Sequence, residues 1–398
     1  MTRCFLLFGI AFLGLFGALT HGMAQTKPRA RDLGVPFDGA PGPWNAITDV
    51  EGVEVGYATI VSGAGKLNVG AGPVRTGVTA VIPRGRDSAY APVFAGWFSQ
   101  NGNGEMTGTA WIDEGGFLEG PVMITNTHSV GVVRDAVIDW RVRKGKPDAT
   151  GYWWSLPVVA ETYDGVLNDI NGFHVKPLHA FAALEGARSG TVAEGNVGGG
   201  TGMICYGFKG GTGTSSRKLA AAAGGYTVGV LVQANHGGKR QLLIAGIPVG
   251  REIADNQKVG NSHWRENEDV GSIIIVVATD APLLPHQLKR LARRATMGLA
   301  RTGATSGNGS GDIFIAFSTA NPDAAKADGI AQLRMLPNDR MNALFDATVQ
   351  ATEEAIVNTL VAAETMTGIN DTKIQALPHD ELRKVLEKYG RLMKPGGK

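Results

Sequence analysis

Residues 271–278 read Gly-Ser-Ile-Ile-Ile-Val-Val-Ala, and this stretch decides how the chain is organised. Its last six residues are apolar and five of them are β-branched, which predicts a fully buried strand. The preceding residues 251–270 (REIADNQKVGNSHWRENEDV) are polar and charged, which predicts an exposed connecting loop. A buried strand therefore begins abruptly at Ser272, directly after a polar segment and a glycine.

Strand-like and helix-like segments occur in runs on both sides of this stretch. Short β-branched or apolar runs predict strands at 53–60, 77–82, 121–125, 203–208, 227–233, 241–247 and 313–318. Apolar residues at helical spacing predict helices at 129–143, 285–300, 340–365 and 379–393, and another that begins within 180–184. Runs of each kind, rather than strict alternation, favour a layered α+β sandwich over a doubly wound Rossmann fold.

The first 24 residues have the three parts of a secretory signal peptide. A basic start at Arg3 precedes an apolar run from Cys4 to Leu19, and Gly22 and Ala24 occupy the −3 and −1 positions of a cleavage site. The apolar run is shorter than the ~20 residues that a membrane-spanning helix needs, which argues against an anchor. We therefore expect export to the periplasm and no membrane association after signal removal.

The composition argues against some classes of protein. A formal net charge of +2 gives no electrostatic reason to expect a nucleic-acid partner. The mature chain keeps one cysteine, Cys205, and so cannot form an internal disulfide. Glycine is frequent, at 57 of 398 residues against a usual share of ~7%, and it is spread between apolar strands. That distribution predicts tight turns, close backbone approaches and extensive buried surface.

Familiar metal, phosphate and serine-hydrolase motifs are missing from the sequence. The histidines are scattered, without an H-E-x-x-H motif or a cysteine pair, so we predict no metal site. The glycine runs at 198–202 and 210–214 match neither a Walker A nor a Rossmann motif, and we interpret them as turns flanking the strand 203–208. The G-x-S-x-G elbow of α/β-hydrolases is also missing.

Ser272 could act as a nucleophile without a histidine partner if it became the first residue of a chain. An N-terminal amine titrates near ~7.7–8.0 and can take the hydroxyl proton at neutral pH. Gly271 can adopt a strained backbone and leaves its carbonyl open to attack. Gly-Ser before an apolar strand is also common at ordinary strand starts, and Ser310 in the loop 307–312 is by pattern an ordinary turn serine. Pattern alone therefore leaves both interpretations open.

Six segments taken together resemble the family of L-aminopeptidase D-Ala-esterase/amidases and bacterial β-peptidyl aminopeptidases. They occur in order across nearly the whole mature chain, and the set is far more specific than any one segment. The segments are 154–165 (WSLPVVAETYDG), 167–172 (LNDING), 199–217 (GGTGMICYGFKGGTGTSSR), 232–237 (VQANHG), 271–282 (GSIIIVVATDAP) and 307–312 (GNGSGD).

The resemblance implies an inactive precursor that cleaves itself before a serine. Here the cut would divide one catalytic domain into an α fragment, 25–271, and a β fragment, 272–398. The implied fold is a four-layer α/β/β/α sandwich, layered like the N-terminal-nucleophile hydrolases but with different connectivity. The resemblance further implies a tetramer of processed protomers, no metal or organic cofactor, and removal of N-terminal residues from short peptides, aminoacyl amides or esters.

The resemblance also assigns roles to five side chains. Ser272 falls on the nucleophile, and Asn235 falls on an amide that helps to bind the oxyanion, an interaction worth roughly 2.7–4 kcal/mol in comparable sites. Tyr163 falls on an active-site tyrosine that hydrogen-bonds the intermediate or the substrate. Ser310 falls on a second serine near the nucleophile. Asp312 stands where β-peptidyl aminopeptidases carry a glutamate that orients the serine pair or the free amine.

Substrate contacts are assigned more weakly. The substrate's ammonium requires a carboxylate, and the candidates besides Asp312 are Glu161 and Asp164. Aromatic candidates for the pocket lining are Trp154, Trp111 and Trp153.

Two other functions fit parts of this pattern. An acyltransferase of the ornithine acetyltransferase type also cleaves itself and forms an acyl-enzyme, but its nucleophile is a threonine and its export would be unexpected. A non-catalytic periplasmic binding protein with the same fold would have the same layered structure and no catalytic activity.

Overall fold

The computed structural model describes residues 27–144, 154–253, 271–326 and 328–393. The predicted signal peptide, 1–24, lies outside these residues, as do Trp153 and most of the predicted connecting loop, 254–270.

The described residues form fourteen strands and seven α-helices. The strands are β1 Glu54–Ser62, β2 Val74–Ile82, β3 Val93–Ser99, β4 Phe117–Leu118, β5 Val122–Asn126, β6 Val158–Thr162, β7 Ile204–Cys205, β8 Phe208–Lys209, β9 Gly211–Lys218, β10 Thr227–Asn235, β11 Ser272–Thr279, β12 Asp312–Ser318, β13 Met366–Thr367 and β14 Lys373–Ile374. The helices are α1 Thr109–Gly115, α2 Val130–Lys144, α3 Pro177–Glu185, α4 Val249–Glu252, α5 Pro285–Arg301, α6 Asn342–Ala362 and α7 His379–Lys388. None of these helices is both long and apolar enough to cross a membrane.

Two sheets stack between two helical layers. Four strands form one sheet in the order β1-β2-β5-β6, and six form the other in the order β4-β3-β12-β11-β10-β9. Helices α2 and α3 cover the outer face of the four-stranded sheet, and α5 and α6 cover the outer face of the six-stranded sheet. Apolar side chains from both sheets, among them Ile124 and Ile274, meet in a core between them. The predicted four-layer α/β/β/α sandwich is confirmed.

Strand β11 explains why its sequence is apolar without alternation. It lies inside the six-stranded sheet and all eight of its residues are buried. Ile273 and Ile275 belong to the core under helices α5 and α6, whereas Ile274 and Val276 belong to the core between the sheets. Because successive side chains point to opposite faces, both faces must be apolar when both are covered.

Glycines let the helices lie close against the six-stranded sheet. A Cβ atom built on Gly213 of β9 would lie 2.1 Å from the carbonyl oxygen of Ala355 in α6. A Cβ on Gly96 of β3 would lie 2.4 Å from the backbone nitrogen of Lys289 in α5. The predicted close backbone approaches are therefore confirmed at these two contacts.

Three sequence-based assignments were wrong. The predicted strand 203–208 is two short strands, β7 and β8, which fold back on each other through a turn at Tyr206 and Gly207, both with positive φ. Most of the glycine run 210–214, interpreted as a turn, belongs to the buried strand β9. Segment 241–247 forms no strand and contributes one isolated bridge, between Ile244 and Ile247. The glycine and threonine residues of β9 do not form the apolar pattern that predicts a buried strand. The strand is buried because α6 packs closely against it.

Alanine substitution at two glycines should have opposite effects. Gly213→Ala should lower the free energy of unfolding by about 1–3 kcal/mol, because the new methyl group overlaps the backbone of α6. Gly131→Ala, in helix α2 with open space around its Cβ position, should raise it by roughly 0.5–1 kcal/mol. Denaturant unfolding of the two variants and the wild type measures both effects. Equal stability of the two variants would contradict this account of helix–sheet packing.

Candidate active site

The register of three adjacent strands brings the predicted site residues to one end of the six-stranded sheet. Asn235, the last residue of β10, pairs with Ser272, the first residue of β11. Strand β12 runs parallel to β11, and Asp312 at its start pairs with Ile273. Ser272, Asn235, Ser310 and Asp312 are all buried, with at most 5% of each residue exposed.

The loop before β12 supplies a hydrogen bond to the Ser272 hydroxyl. The backbone N–H of Gly311 donates a hydrogen bond to Ser272 Oγ at 3.1 Å. On either side of Gly311, Ser310 Oγ donates to Asp312 Oδ1 at 2.7 Å. The loop thus presents a backbone donor, a second hydroxyl and a carboxylate within three consecutive residues.

A second loop, residues 100–104, holds the first one in place. Asn101 Oδ1 accepts a hydrogen bond from the backbone N–H of Asp312 at 3.0 Å. The backbone N–H of Asn103 donates to the carbonyl of Ser310 at 3.2 Å. A Cβ on Gly311 would lie 2.4 Å from the Asn103 carbonyl oxygen, so the two loops meet backbone to backbone.

The Asn235 side chain has both ends fixed. Its Oδ1 accepts a hydrogen bond from the backbone N–H of Ile204 at 2.8 Å, and its Nδ2 donates to the carbonyl oxygen of Tyr163 at 2.9 Å. Only one orientation of the amide satisfies both partners, since one is a donor and the other an acceptor. Nδ2 carries two hydrogens, and the Tyr163 carbonyl takes one of them.

Gly271, immediately before Ser272, lies tightly against Asn235. Its φ angle is +110°, and a Cβ there would lie 2.0 Å from the Asn235 carbonyl oxygen and 3.4 Å from Asn235 Nδ2. This conformation and this space admit only glycine. The peptide bond between Gly271 and Ser272 therefore lies beside the Asn235 amide.

Glu161 is a buried carboxylate close to the same loops. It is 3% exposed and accepts hydrogen bonds from the Glu105 backbone N–H at 3.0 Å and from the Thr127 hydroxyl. A Cβ on Gly104 would lie 3.2 Å from Glu161 Oε1 and 3.1 Å from the Cα of Gly311. Burial raises the pKa of Glu161 above its usual value, and the two hydrogen bonds partly offset that effect.

The other sequence-predicted residues lie less centrally. Tyr163 reaches Asn235 through its backbone carbonyl, whereas its hydroxyl lies against Gly165. Trp154 is 56% exposed and contacts Trp111 edge-on, with ring centroids 5.8 Å apart. Asp164 is fully buried and accepts a hydrogen bond from Asn168, and burial raises its pKa to about 7.

Several contributors carried no recognisable signal in the sequence. The Gly311 donor is a backbone group, and Thr127 binds Glu161 from another strand end. The stretch Asn-Gly-Asn-Gly at 101–104 is a second glycine loop, and its resemblance to 307–311 was the one clue available. In the part of the chain that the structure describes, no group of three or more His, Cys, Asp or Glu side chains could hold a metal ion.

The comparisons with known proteins agree on one family. The sequence profile of peptidase family S58 matches residues 45–374. The β-peptidyl aminopeptidase BapA of Sphingosinicella microcystinivorans is 58% identical over 386 residues, which cover 94% of this chain and 96% of that protein.

Solved structures show the same fold. The L-aminopeptidase D-Ala-esterase/amidase of Ochrobactrum anthropi, a variant of the Ntn hydrolase fold, matches with a TM-score of 0.84 at 50% identity, covering 92% of this chain and 100% of its own. A β-aminopeptidase of a Burkholderia species matches with a TM-score of 0.80 at 47% identity, covering 91% and 99%. The predicted layering and family are thus confirmed.

The raised pKa of Glu161 predicts a pH-dependent gain in stability on its neutralisation. Because the folded state holds this proton more tightly than the unfolded chain does, the charged carboxylate destabilises the fold above the ordinary value of 4.5. Glu161→Gln should therefore be more stable than wild type at pH 8, and the gain should shrink towards pH 4.

Thermal midpoints at the two pH values test this expectation. The control Glu387→Gln, at an exposed position on α7, should change stability by less than ~0.5 kcal/mol at either pH. A Glu161→Gln variant that is less stable than wild type at pH 8 would contradict the assignment of Glu161 as a carboxylate kept at a cost to stability.

Proposed function

The chain belongs to peptidase family S58, and on that premise we propose that it is a self-processing serine aminopeptidase with Ser272 as its nucleophile. Aminopeptidase activity is the function that its relatives share. The acyltransferase and the non-catalytic alternatives are not favoured by these comparisons.

One observation carries the proposal: a buried serine begins a central strand between two hydrogen-bond donors. Ser272 Oγ accepts from the Gly311 N–H, and the Asn235 amide lies beside the bond that precedes Ser272. Donors held in place before the reaction stabilise the charge that develops on an attacked carbonyl. The Gly311 N–H positions the nucleophile, whereas the Asn235 amide can bind the oxyanion both when the chain is cleaved and when substrates are cleaved.

Self-cleavage uses Gly271 as the first substrate. Ser272 Oγ attacks the Gly271 carbonyl carbon, the C–N bond to Ser272 breaks, and the hydroxyl proton passes to the departing nitrogen. The resulting ester is hydrolysed by water, which leaves a carboxylate on Gly271 and restores the Ser272 hydroxyl. Glycine at this position exposes its carbonyl, because no side chain covers it on either face.

Turnover uses the amine that self-cleavage releases. The α-amine of Ser272 takes the Oγ proton, while Ser310 and its partner Asp312 orient the amine or relay the proton. Oγ then attacks the carbonyl of the substrate's first residue, and Asn235 Nδ2 binds the oxyanion. The Ser272 ammonium gives the proton to the departing nitrogen, the remaining peptide leaves as an amine, and water hydrolyses the acyl-enzyme and restores the Ser272 hydroxyl.

We infer the substrate class from the relatives and from Glu161. Proteins named for β-peptidyl and for L-aminopeptidase activity stand at 58% and 50% identity, so we expect the enzyme to remove N-terminal β-amino acids and small L-amino acids. Glu161, buried beside the loops that hold Ser310, is the carboxylate that we assign to the substrate's ammonium. Tyr163 and Trp154 complete the assigned contacts with the substrate.

The wider setting of the enzyme is also proposed. The signal-like residues 1–24 support export to the periplasm, where the processed enzyme would be free of the membrane. The family resemblance supports a tetramer of processed protomers that needs no cofactor.

Intact-mass spectrometry and hydrolysis assays test the proposal together. Wild-type protein should separate under denaturing conditions into two chains cut between Gly271 and Ser272, and it should hydrolyse β-homoaminoacyl and L-aminoacyl p-nitroanilides. Ser272→Ala should stay whole and inactive. Gly271→Ala should cleave at least tenfold more slowly, because its Cβ overlaps the Asn235 carbonyl.

The same assays define what would contradict the proposal. Wild-type protein that never divides would exclude self-processing. A Ser272→Ala variant that stays whole yet hydrolyses the anilides as fast as wild type would exclude Ser272 as the nucleophile. The control substrate is an N-acetylated anilide, which lacks the ammonium and should not be cleaved.

A further inference from the structure

A fully buried lysine lies behind the oxyanion-binding amide. Lys209, the last residue of β8, is 0% exposed. Its Nζ donates hydrogen bonds to the carbonyl oxygens of Met203 and Gly210, both at 2.9 Å, and of Gly200 at 3.5 Å. All three partners are backbone carbonyls rather than carboxylates.

One peptide unit joins this ammonium to Asn235. The carbonyl of Met203 accepts from Lys209 Nζ, and the N–H of the same peptide unit, on Ile204, donates to Asn235 Oδ1 at 2.8 Å. At the far end of the Asn235 amide, Nδ2 donates to the Tyr163 carbonyl and faces Gly271. A continuous series of hydrogen bonds therefore runs from the ammonium to the amide hydrogens beside the scissile bond.

Hydrogen bonds in such a series polarise one another. A cation on the carbonyl of an amide draws electron density from its nitrogen and makes the N–H a stronger donor, by roughly 10–30% per bond. The Ile204 N–H in turn polarises the Asn235 amide, which makes Nδ2 a stronger donor to a developing oxyanion. The low dielectric of the interior strengthens each of these effects.

We propose that Lys209 is a positioning residue for hydrolysis, which fixes and polarises the Asn235 amide through the Met203–Ile204 peptide unit. It does not touch the substrate. The inference rests on the proposed function, in which Asn235 Nδ2 binds the oxyanion.

The cost of this arrangement argues that the lysine serves a purpose beyond filling space. Burying an ammonium without a carboxylate partner is unfavourable, and burial lowers the pKa of Lys209 to about 7, so the charged form that polarises the amide predominates below that pH. A methionine has a similar length and would fill the position without that cost. Sites that are kept at the expense of stability are characteristic of function.

A double-mutant cycle tests whether Lys209 acts through Asn235. Removing an oxyanion donor lowers kcat by roughly 10²–10³-fold. Lys209→Met keeps the Asn235 amide and removes the hydrogen bonds and the charge that fix and polarise it, so it should lower kcat by about tenfold and leave KM nearly unchanged. In an Asn235→Ala background, the same substitution should change kcat by less than about twofold, because the amide that it acts on is gone. Rates are normalised to the amount of β fragment, so that incomplete processing does not count as lost activity. The rate at which each precursor divides is a second readout of the same cycle, because Asn235 also serves self-cleavage.

Two further variants keep the test interpretable. Lys209→Gln, which retains an N–H donor without the charge, replaces Lys209→Met if the latter does not fold. Leu382→Ala, in the buried face of α7, a helix that supplies no side chain to the candidate site, should lower the thermal midpoint and leave kcat unchanged.

The outcomes separate failure of this inference from failure of the proposed function. An equal loss of kcat on Lys209→Met in both backgrounds, an unchanged kcat, or a raised KM alone would overturn the role of Lys209 and leave Ser272 and Asn235 as proposed. An Asn235→Ala enzyme with wild-type kcat would instead remove the oxyanion role of Asn235, and the inference with it.

Discussion

The pairing of β11 with its neighbours β10 and β12 is the constraint on which the rest of the site depends. A shift of one residue in this register would move the side chains of each face of β11 into the other core. Side chains that now pack under α5 and α6 would then lie between the sheets, against different neighbours. The buried run from Ile273 onwards therefore fixes the position of Ser272 at the strand's first residue. Asn235 on one side and the loop before Asp312 on the other follow from the same register.

Around this rigid strand, the site consists of buried polar groups whose partners come from distant segments. Asn235 is held by Ile204 and by the Tyr163 carbonyl, and Glu161 by a hydroxyl and a backbone N–H. Burying such groups lowers stability unless each is hydrogen-bonded. The raised pKa of Glu161 shows that its burial disfavours the charged carboxylate despite its hydrogen bonds. A site that is already ordered needs little reorganisation when charge develops on a substrate carbonyl.

The sequence predicted the features that depend on local pattern and missed those that depend on contact. The apolar run of β11 predicted a buried strand. The segments that resemble the family identified Ser272, Asn235 and the loop before β12 as candidate site residues. Strand β9 was missed because its burial comes from the close approach of α6 at Gly213. The Gly311 donor has no side-chain signature, and Lys209 lay between the predicted strand 203–208 and the glycine run 210–214, where no role was predicted for it. These contacts join residues that are far apart in the chain, so no short stretch of sequence contains both partners.

The central claim is that Ser272 is the nucleophile. Its most direct test is to measure, during turnover, the mass of the peptide that begins at Ser272. We would mix processed enzyme with a β-aminoacyl p-nitrophenyl ester, quench it in acid within the first turnovers, and analyse its peptides by mass spectrometry. We expect the added mass of one aminoacyl group on Ser272, and no such mass after complete turnover. A burst of p-nitrophenol with the acyl group on another residue would contradict the assignment of Ser272 as the nucleophile.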